Sequence, residues 1–191
     1  MNEPLTVMLE ESLEELLEAS KYCVEYSKSS PQWDDYRKGG CLGFPSGILL
    51  FSIIDSIGSY FRKNKDFEVM VDGKSTIINH SGWEHFKILN SKYFNQDLSA
   101  DFLKTLYHHY RSSLTHNAVL GGQVMMYPSS EATIFKNLPF TMFEIEAGRW
   151  EPIVFMKELY LLCRSAVDLF KLEIDEIVPN SNQVQVMNLK K

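Results

Sequence analysis

The sequence predicts a mainly α-helical protein with a core of four helices. Four segments repeat apolar residues with the 3.6-residue period of an α-helix, and neither an internal repeat nor a clear linker divides the chain. A length of 191 residues is enough for one well-buried core. We therefore expect one domain over residues 1–175, followed by a flexible tail over residues 176–191.

The first predicted helix, over roughly residues 5–27, separates apolar from acidic side chains. Its apolar stripe consists of Leu9, Leu13, Leu16, Leu17, Cys23 and Val24. Residues 1–20 carry six glutamates and no lysine or arginine, so the rest of the chain holds 19 acidic and 19 basic residues. The net charge of −6 disfavours nonspecific nucleic-acid binding, but it belongs to this helix alone. We expect a solvated acidic face; the alternative is a face that shields a basic cleft or docks a partner.

The second predicted helix, over roughly residues 45–62, is almost entirely apolar. Its polar residues form one row at helical spacing: Ser52, Asp55, Ser56 and Ser59. Pro45, Asp55 and several glycines and serines make residues 42–61 too polar for a membrane span, so a buried core helix is expected. Asp55 has two interpretations of equal weight. It orients or ion-pairs Arg111 across the bundle, or it faces solvent beside its serine neighbours.

A β-hairpin insertion is predicted at about residues 67–78, because Asp72-Gly73 separates two β-prone runs. The stretch "SGWEHFKILNSKYF" then predicts a short helix. His80 and His85 flank its start, where capping or exposure to solvent is the expected role.

The third long helix is predicted to begin at Ser99, a good N-cap residue with Asp101 in the following turn. It is predicted to end before Gly121-Gly122, which suit a left-handed C-terminal cap. Residues 122–149 lose the helical period and predict an extended or β excursion. A last helix is predicted over roughly residues 152–174.

Cysteine usage indicates a reducing compartment. Cys23, Cys41 and Cys163 are odd in number and scattered, which disfavours both a disulfide framework and a zinc finger. The N-terminus lacks the pattern of a secretory signal. We therefore expect a cytoplasmic protein, with no membrane association, no cofactor and no metal.

The third helix carries the residues best suited to catalysis, in "LYHHYRSSLTHNAVLGG" (106–122). Arg111 can donate two parallel hydrogen bonds to phosphate oxygens, and His116 can transfer protons near neutral pH. Five residues place them roughly 140° apart around an ideal helix, so they do not share a face. A distorted C-terminal turn, an arginine that reaches around the helix, or two copies meeting in a dimer would bring them together.

His108 and His109 are expected to face solvent. His109 is the better candidate for a role, because it lies seven residues before His116 and so on the same edge of the helix. A metal site formed by His109 and His116 lacks carboxylate or cysteine partners nearby.

The stretch "LYHHYRSSLTHNAVL", preceded by "FKILNSKYF" and by "FSIIDSIGSYF", resembles the HEPN superfamily of helical-bundle proteins. That family carries an Arg-x4-6-His motif near the end of a core helix, which Arg111 and His116 match. The resemblance covers roughly residues 45–120 in pattern and the last helix in general character. It does not account for residues 122–149.

The resemblance implies a HEPN-like four-helix bundle that forms a homodimer and composes its cleft from both chains. Many active members are metal-independent endoribonucleases of toxin–antitoxin, abortive-infection or CRISPR-linked defence systems, so RNA is the implied substrate and an antitoxin or another protein an implied partner. Carried over, Arg111 holds the scissile phosphate and His116 transfers a proton. Supporting roles fall to Ser112, Asn117, His109 and Asp55.

Two other classes of function compete with this hypothesis. Some members of the family lack activity and bind a nucleotide, RNA or protein partner instead. Ser112 favours this alternative, because active members frequently have Asn, Asp or His directly after the arginine. The third class is a structural helical bundle in which the spacing of Arg111 and His116 is accidental.

Overall fold

The protein is mainly α-helical, as predicted. The computed structural model describes residues 4–29, 31–33, 38–122, 124–131 and 133–184. Its helices are α1 (Leu5–Glu25), α2 (Gly43–Tyr60), a 3-10 helix (Gly82–Asn90), α3 (Ala100–Thr105), a π-helical segment (Leu106–Ser112), α4 (Ser113–Asn117), α5 (Met156–Lys171) and α6 (Ile174–Asn180). Its strands are β1 (Val69–Val71), β2 (Lys74–Thr76), β3 (Met125–Tyr127), β4 (Phe140–Glu146) and β5 (Arg149–Phe155).

Helix α2 lies at the centre of the fold. Helices α1 and α5, the 3-10 helix and the π-helical segment all pack against it. Apolar residues around most of its circumference are fully buried, and Phe51 contacts the rings of Phe86 and Tyr110 at centroid distances of 6.0 and 5.6 Å. A helix that is apolar nearly all round must be enclosed in this way. The prediction of a core helix is confirmed. No helix in the described part of the chain has the length and apolar character needed to cross a membrane.

Gly58 brings the 3-10 helix unusually close to α2. A Cβ atom at this position would lie 2.2 Å from the backbone oxygen of His85. That distance is far inside van der Waals contact, and the obstructing atom belongs to the backbone and cannot rotate away. The missing side chain therefore determines how near His85 comes to the polar row of α2.

Helices α1 and α5 are joined by ion pairs, and the acidic side of α1 is only partly solvated. Arg164 pairs with Glu14 and Glu18, and Lys171 pairs with Glu10 and Glu14. The expectation of a solvated acidic face holds for the exposed Glu11, Glu15 and Glu18, whereas Glu10 and Glu14 are half-buried beside α5. The sequence predicted a last helix, but the position of its cations relative to α1 depends on how the helices cross.

The hairpin prediction is confirmed: β1 and β2 pair in antiparallel fashion around Asp72 and Gly73. Both turn residues have positive φ, 51° and 70°, which Asp and Gly tolerate better than other residues. The helix predicted in the next stretch is present but adopts 3-10 geometry. Glu84 caps its start by accepting hydrogen bonds from the backbone of Asn79 and His80.

The third long helix begins where the sequence predicts, since the Ser99 side chain accepts a hydrogen bond from the Phe102 backbone. It ends before Gly121-Gly122, as predicted, but the predicted glycine cap is wrong. The helix stops at Asn117, and Ala118 rather than a glycine takes the left-handed position, with φ of 53°. Gly121 is used for a close contact instead, because a Cβ there would lie 2.4 Å from His109 Nδ1.

The predicted excursion forms a three-stranded sheet in the order β3-β5-β4. Strand β5 pairs in parallel with β3 and antiparallel with β4. It includes residues 152–155, which were predicted to begin the last helix; that helix begins at Met156. Pro152, Ile153, Val154 and Phe155 are all buried, and a short continuous apolar run does not distinguish a buried strand from a helix.

The Tyr110 hydroxyl ties the π-helical segment to this sheet. It lies 2.8 Å from the carbonyl oxygens of both Met125 and Pro152. Burial raises the pKa of Tyr110, so the phenol stays protonated as a donor. Beyond α5, helical structure continues through α6 to Val184, within the range predicted as a tail, and residues 185–191 lie outside the described residues.

Replacing Gly58 with alanine tests the close approach of the 3-10 helix. We expect Gly58→Ala to cost about 3 kcal/mol of unfolding free energy, at the upper end of the range for overpacking, because a methyl group would strike the His85 backbone. Urea denaturation measures the loss. Gly43→Ala, on the same helix but at an ordinary 3.6 Å from Met126, should cost nothing measurable. Equal effects of the two substitutions would contradict this role of Gly58.

The α1–α5 ion pairs should make stability depend on pH. The hydrogen bond from Lys171 lowers the pKa of Glu14 below its ordinary 4.5, with a further contribution from Arg164. The stabilisation is therefore complete above pH 4.5 and is lost as the pH falls through the lowered pKa. Glu14→Gln should cost about 1 kcal/mol at pH 7, after screening by solvent, and progressively less in acid.

Denaturation curves between neutral and acidic pH measure this difference. Glu11→Gln is the matched control, since Glu11 is exposed on the same helix and has no ion-pair partner among the described residues. A Glu14→Gln effect that does not shrink in acid would exclude the ion pairs as its cause.

Candidate functional site

Asp55 joins three separate elements through one carboxylate. Its Oδ2 lies 2.8 Å from Nη2 of Arg111, and its Oδ1 lies 2.7 Å from Nδ1 of His85. Asp55 comes from α2, His85 from the 3-10 helix and Arg111 from the π-helical segment. The side chains of Asp55 and Arg111 are 19% and 22% exposed, so both reach the surface in part, whereas His85 is buried. Of the two alternatives for Asp55, the structure shows the ion pair.

His85 is the member of this group that the sequence did not indicate. Capping or exposure was expected, but the residue is only 6% exposed, and this expectation is wrong. A carboxylate only accepts hydrogen bonds, so Nδ1 of His85 is the donor. Its Nε2 is buried without a protein partner among the described residues. The contact between Gly58 and the His85 backbone places the ring, and contacts between elements leave no periodic signal in a sequence.

Arg111 lies in a segment with π-helical hydrogen bonding. Such segments are rare and occur frequently at functional sites. The guanidinium carbon lies 6.0 Å from the ring centroid of Tyr107, within the range of a cation–π contact. Asp55 engages one Nη atom, and Nε is buried without a protein partner in the described structure. The guanidinium is thus fixed through one nitrogen, and the Arg111 side chain as a whole is 22% exposed.

His116 is exposed in the last turn of the helix. Among the described residues no hydrogen bond or ion pair involves its side chain, and none links it to Arg111. The two motif residues are therefore near in sequence but are not joined within one chain. Ser112 is half-buried and Asn117 exposed, and neither side chain hydrogen-bonds to another described residue.

His108 and His109 are exposed, as expected. The Gly121 backbone donates a 2.8 Å hydrogen bond to the His109 carbonyl oxygen, so the chain folds back along the helix. His109 also lines a cavity of 360 Å³ that we call the hairpin cavity. It lies between the helix and the β4–β5 hairpin and is bordered by Phe102, Thr105, His109, Met142, Trp150 and Pro152.

The described residues offer no obvious set of metal ligands. In the described ranges no three or more His, Cys, Asp or Glu side chains are grouped so that they could hold a metal ion. A larger cavity, of 650 Å³, lies at the start of α2 and includes Lys28, Trp33 and Phe44. Twelve residues of helix separate Gly43, on its wall, from Asp55, which corresponds to about 18 Å. This cavity is therefore distinct from the arginine site.

Comparisons with known proteins yield no relative. No protein-family model, curated protein or solved structure matches the chain. Function must accordingly be argued from the residues of the site.

Replacing Asp55 tests whether one carboxylate holds the site together. We expect Asp55→Asn to cost about 2 kcal/mol of unfolding free energy, because it weakens two charge-assisted hydrogen bonds and leaves the half-buried Arg111 without its counter-charge. Ser56→Ala, the adjacent position in the polar row, should change stability by less than about 0.5 kcal/mol.

A double-mutant cycle separates the ion pair from general damage to the core. Arg111→Met should cost less in the Asp55→Asn background than in the wild type, because the partner is already lost. Strictly additive costs would show that the contact contributes nothing to stability.

Proposed function

We propose that this protein is a HEPN-like, metal-independent endoribonuclease that acts as a homodimer. One observation supports it above all others: the motif arginine is held by a carboxylate from a neighbouring helix and is 22% exposed, while the motif histidine is exposed at the end of the same helix. A guanidinium fixed in this way can bind a phosphate without first becoming ordered.

The reaction is attack by a ribose 2′-hydroxyl oxygen on the adjacent phosphorus. The bond from phosphorus to the 5′-oxygen breaks, which leaves a 2′,3′-cyclic phosphate and a 5′-hydroxyl end. One imidazole removes the proton of the 2′-hydroxyl, and another returns a proton to the departing 5′-oxygen. Arg111 stabilises the negative charge that develops on the phosphate oxygens.

A dimer would bring His116 into contact with Arg111, which a single chain does not do. His116 and Arg111 lie at different angles around the helix, and no contact joins them within the chain. A two-fold axis beside this helix would place His116 of each copy near Arg111 of the other and would supply two imidazoles, one for each proton transfer.

The alternative is a non-catalytic HEPN-like module that binds a nucleotide, RNA or protein partner. Two observations favour it: Ser112 follows the arginine, and Asp55 already neutralises Arg111. In this case the cluster of Asp55, His85 and Arg111 stabilises the fold, and a toxin or defence role would depend on an antitoxin or other partner.

RNA cleavage by the purified protein in EDTA distinguishes the two functions. We expect His116→Ala to lower the cleavage rate by about 10²- to 10⁴-fold, the usual contribution of general acid–base catalysis. His108→Ala is the matched control, because it removes another exposed imidazole from the same helix. Arg111→Lys, which keeps the charge but loses the planar fork, should also be strongly impaired.

The ends of the products and the state of the protein complete the test. Metal-independent cleavage must leave 2′,3′-cyclic phosphate, and sedimentation must show a dimer. Absence of cleavage in a folded dimer would favour the binding module. Cleavage that survives His116→Ala would contradict the proposed site.

A further inference from the structure

We propose that the hairpin cavity binds an unpaired base of single-stranded RNA, with Trp150 as its stacking platform. The inference rests on the proposed function, because it identifies the form of RNA that would reach Arg111 and His116. The cavity measures 360 Å³, within the range of small-molecule sites.

Trp150 is available for stacking. It is 55% exposed, and its ring makes no contact with another aromatic residue and no hydrogen bond within the described structure. The hairpin turn beside it is held by a 2.7 Å hydrogen bond from the Gly148 backbone to Glu144 and by ion pairs of Arg149 with Glu146 and Glu151. The exposed indole therefore offers a flat surface on an ordered hairpin.

The strand register places further apolar contacts on the same face of the hairpin. Glu144 pairs with Trp150 and Met142 with Pro152, and alternate residues of a strand point the same way. Met142, Trp150 and Pro152 therefore share one wall of the cavity, opposite Phe102 of α3. Phe143 points to the other face, where it contacts Phe135 at 6.0 Å.

The polar groups of the cavity suit the edge of a base better than a phosphate. Thr105, His109, Ser99 and Asp101 offer hydroxyl, imidazole and carboxylate groups, which can pair with amino and carbonyl groups of a base. No lysine or arginine lines the cavity in the described part of the chain. Lys104 lies beside the cavity but is ion-paired with the lining Asp101 at 3.2 Å, so a phosphate here would have to compete with that carboxylate.

The cavity lies near the proposed cleavage site along the chain. His109, which lines the cavity, lies seven residues before His116 in one continuous helical stretch, which corresponds to roughly 10 Å along the axis. Stacked nucleotides of one strand advance about 3.4 Å each, so one short segment can span both positions. A base stacked on Trp150 must be unpaired, because a paired base does not expose its edge or its faces.

Binding of a non-cleavable RNA tests the inference without requiring catalysis. The probe is a short, fluorescein-labelled oligoadenylate with 2′-O-methyl riboses, which keeps bases and phosphates but cannot undergo attack by a 2′-hydroxyl. Trp150→Ala should raise its Kd about tenfold, equivalent to about 1.4 kcal/mol and within the range for loss of one stacked base. Trp150→Tyr should restore most of the affinity.

Two controls make the result specific. Phe143→Ala removes an exposed ring from the opposite face of the same hairpin and should change the Kd by less than about twofold. An abasic oligomer of the same length should bind the wild type and Trp150→Ala equally, because phosphates alone do not use the cavity.

The outcomes separate this inference from the proposed function. Unchanged affinity of Trp150→Ala, an equal loss in Phe143→Ala, or no binding of the probe by the wild type would overturn the base site. A change in dimerisation, seen by sedimentation, with no change in affinity would assign Trp150 to a protein interface and also overturn it. Base-dependent binding without cleavage of ordinary RNA would uphold the cavity while contradicting the nuclease. Cleavage that depends on His116 but not on Trp150 would uphold the nuclease and contradict the base site.

Discussion

The carboxylate of Asp55 is the constraint on which the site depends. It accepts from Arg111 and His85 at once, and these residues come from two different helical elements that both pack against α2. A half-buried carboxylate needs such donors, and a half-buried guanidinium needs a counter-charge. Each group makes the burial of the others tolerable, so the three elements must come together in one arrangement. Gly58 permits that arrangement because it lets the backbone of His85 approach α2.

The helix that carries Arg111 connects the cluster of Asp55, His85 and Arg111 to the rest of the molecule. Inside the core, Tyr110 holds the π-helical segment to both β3 and β5 through two carbonyl oxygens. On the outside, Gly121 folds against His109, and the β4–β5 hairpin lies beside the same helix. The arginine site and the hairpin cavity are therefore built on one support. A ligand that spans both would contact a single rigid element and two loops anchored to it.

The distribution of charge also follows from packing. Much of the acidity of α1 is matched by Arg164 and Lys171 of α5, so the net charge of −6 says little about the surface near Arg111. The positive charge of Arg111 is in turn offset by Asp55. Binding of RNA would thus depend on a few oriented groups and a stacked base more than on a broad basic field.

The sequence by itself determined the elements whose signal is local. The apolar circumference of α2, the Asp72-Gly73 hairpin, the Ser99 cap and the exposure of His108 and His109 all follow from periodicity or turn chemistry within a few residues. Tertiary structure alone decided where those elements meet. The burial of His85, the choice of ion pair for Asp55, the strand at residues 152–155 and the left-handed Ala118 depend on contacts between distant segments, for which local patterns carry no information.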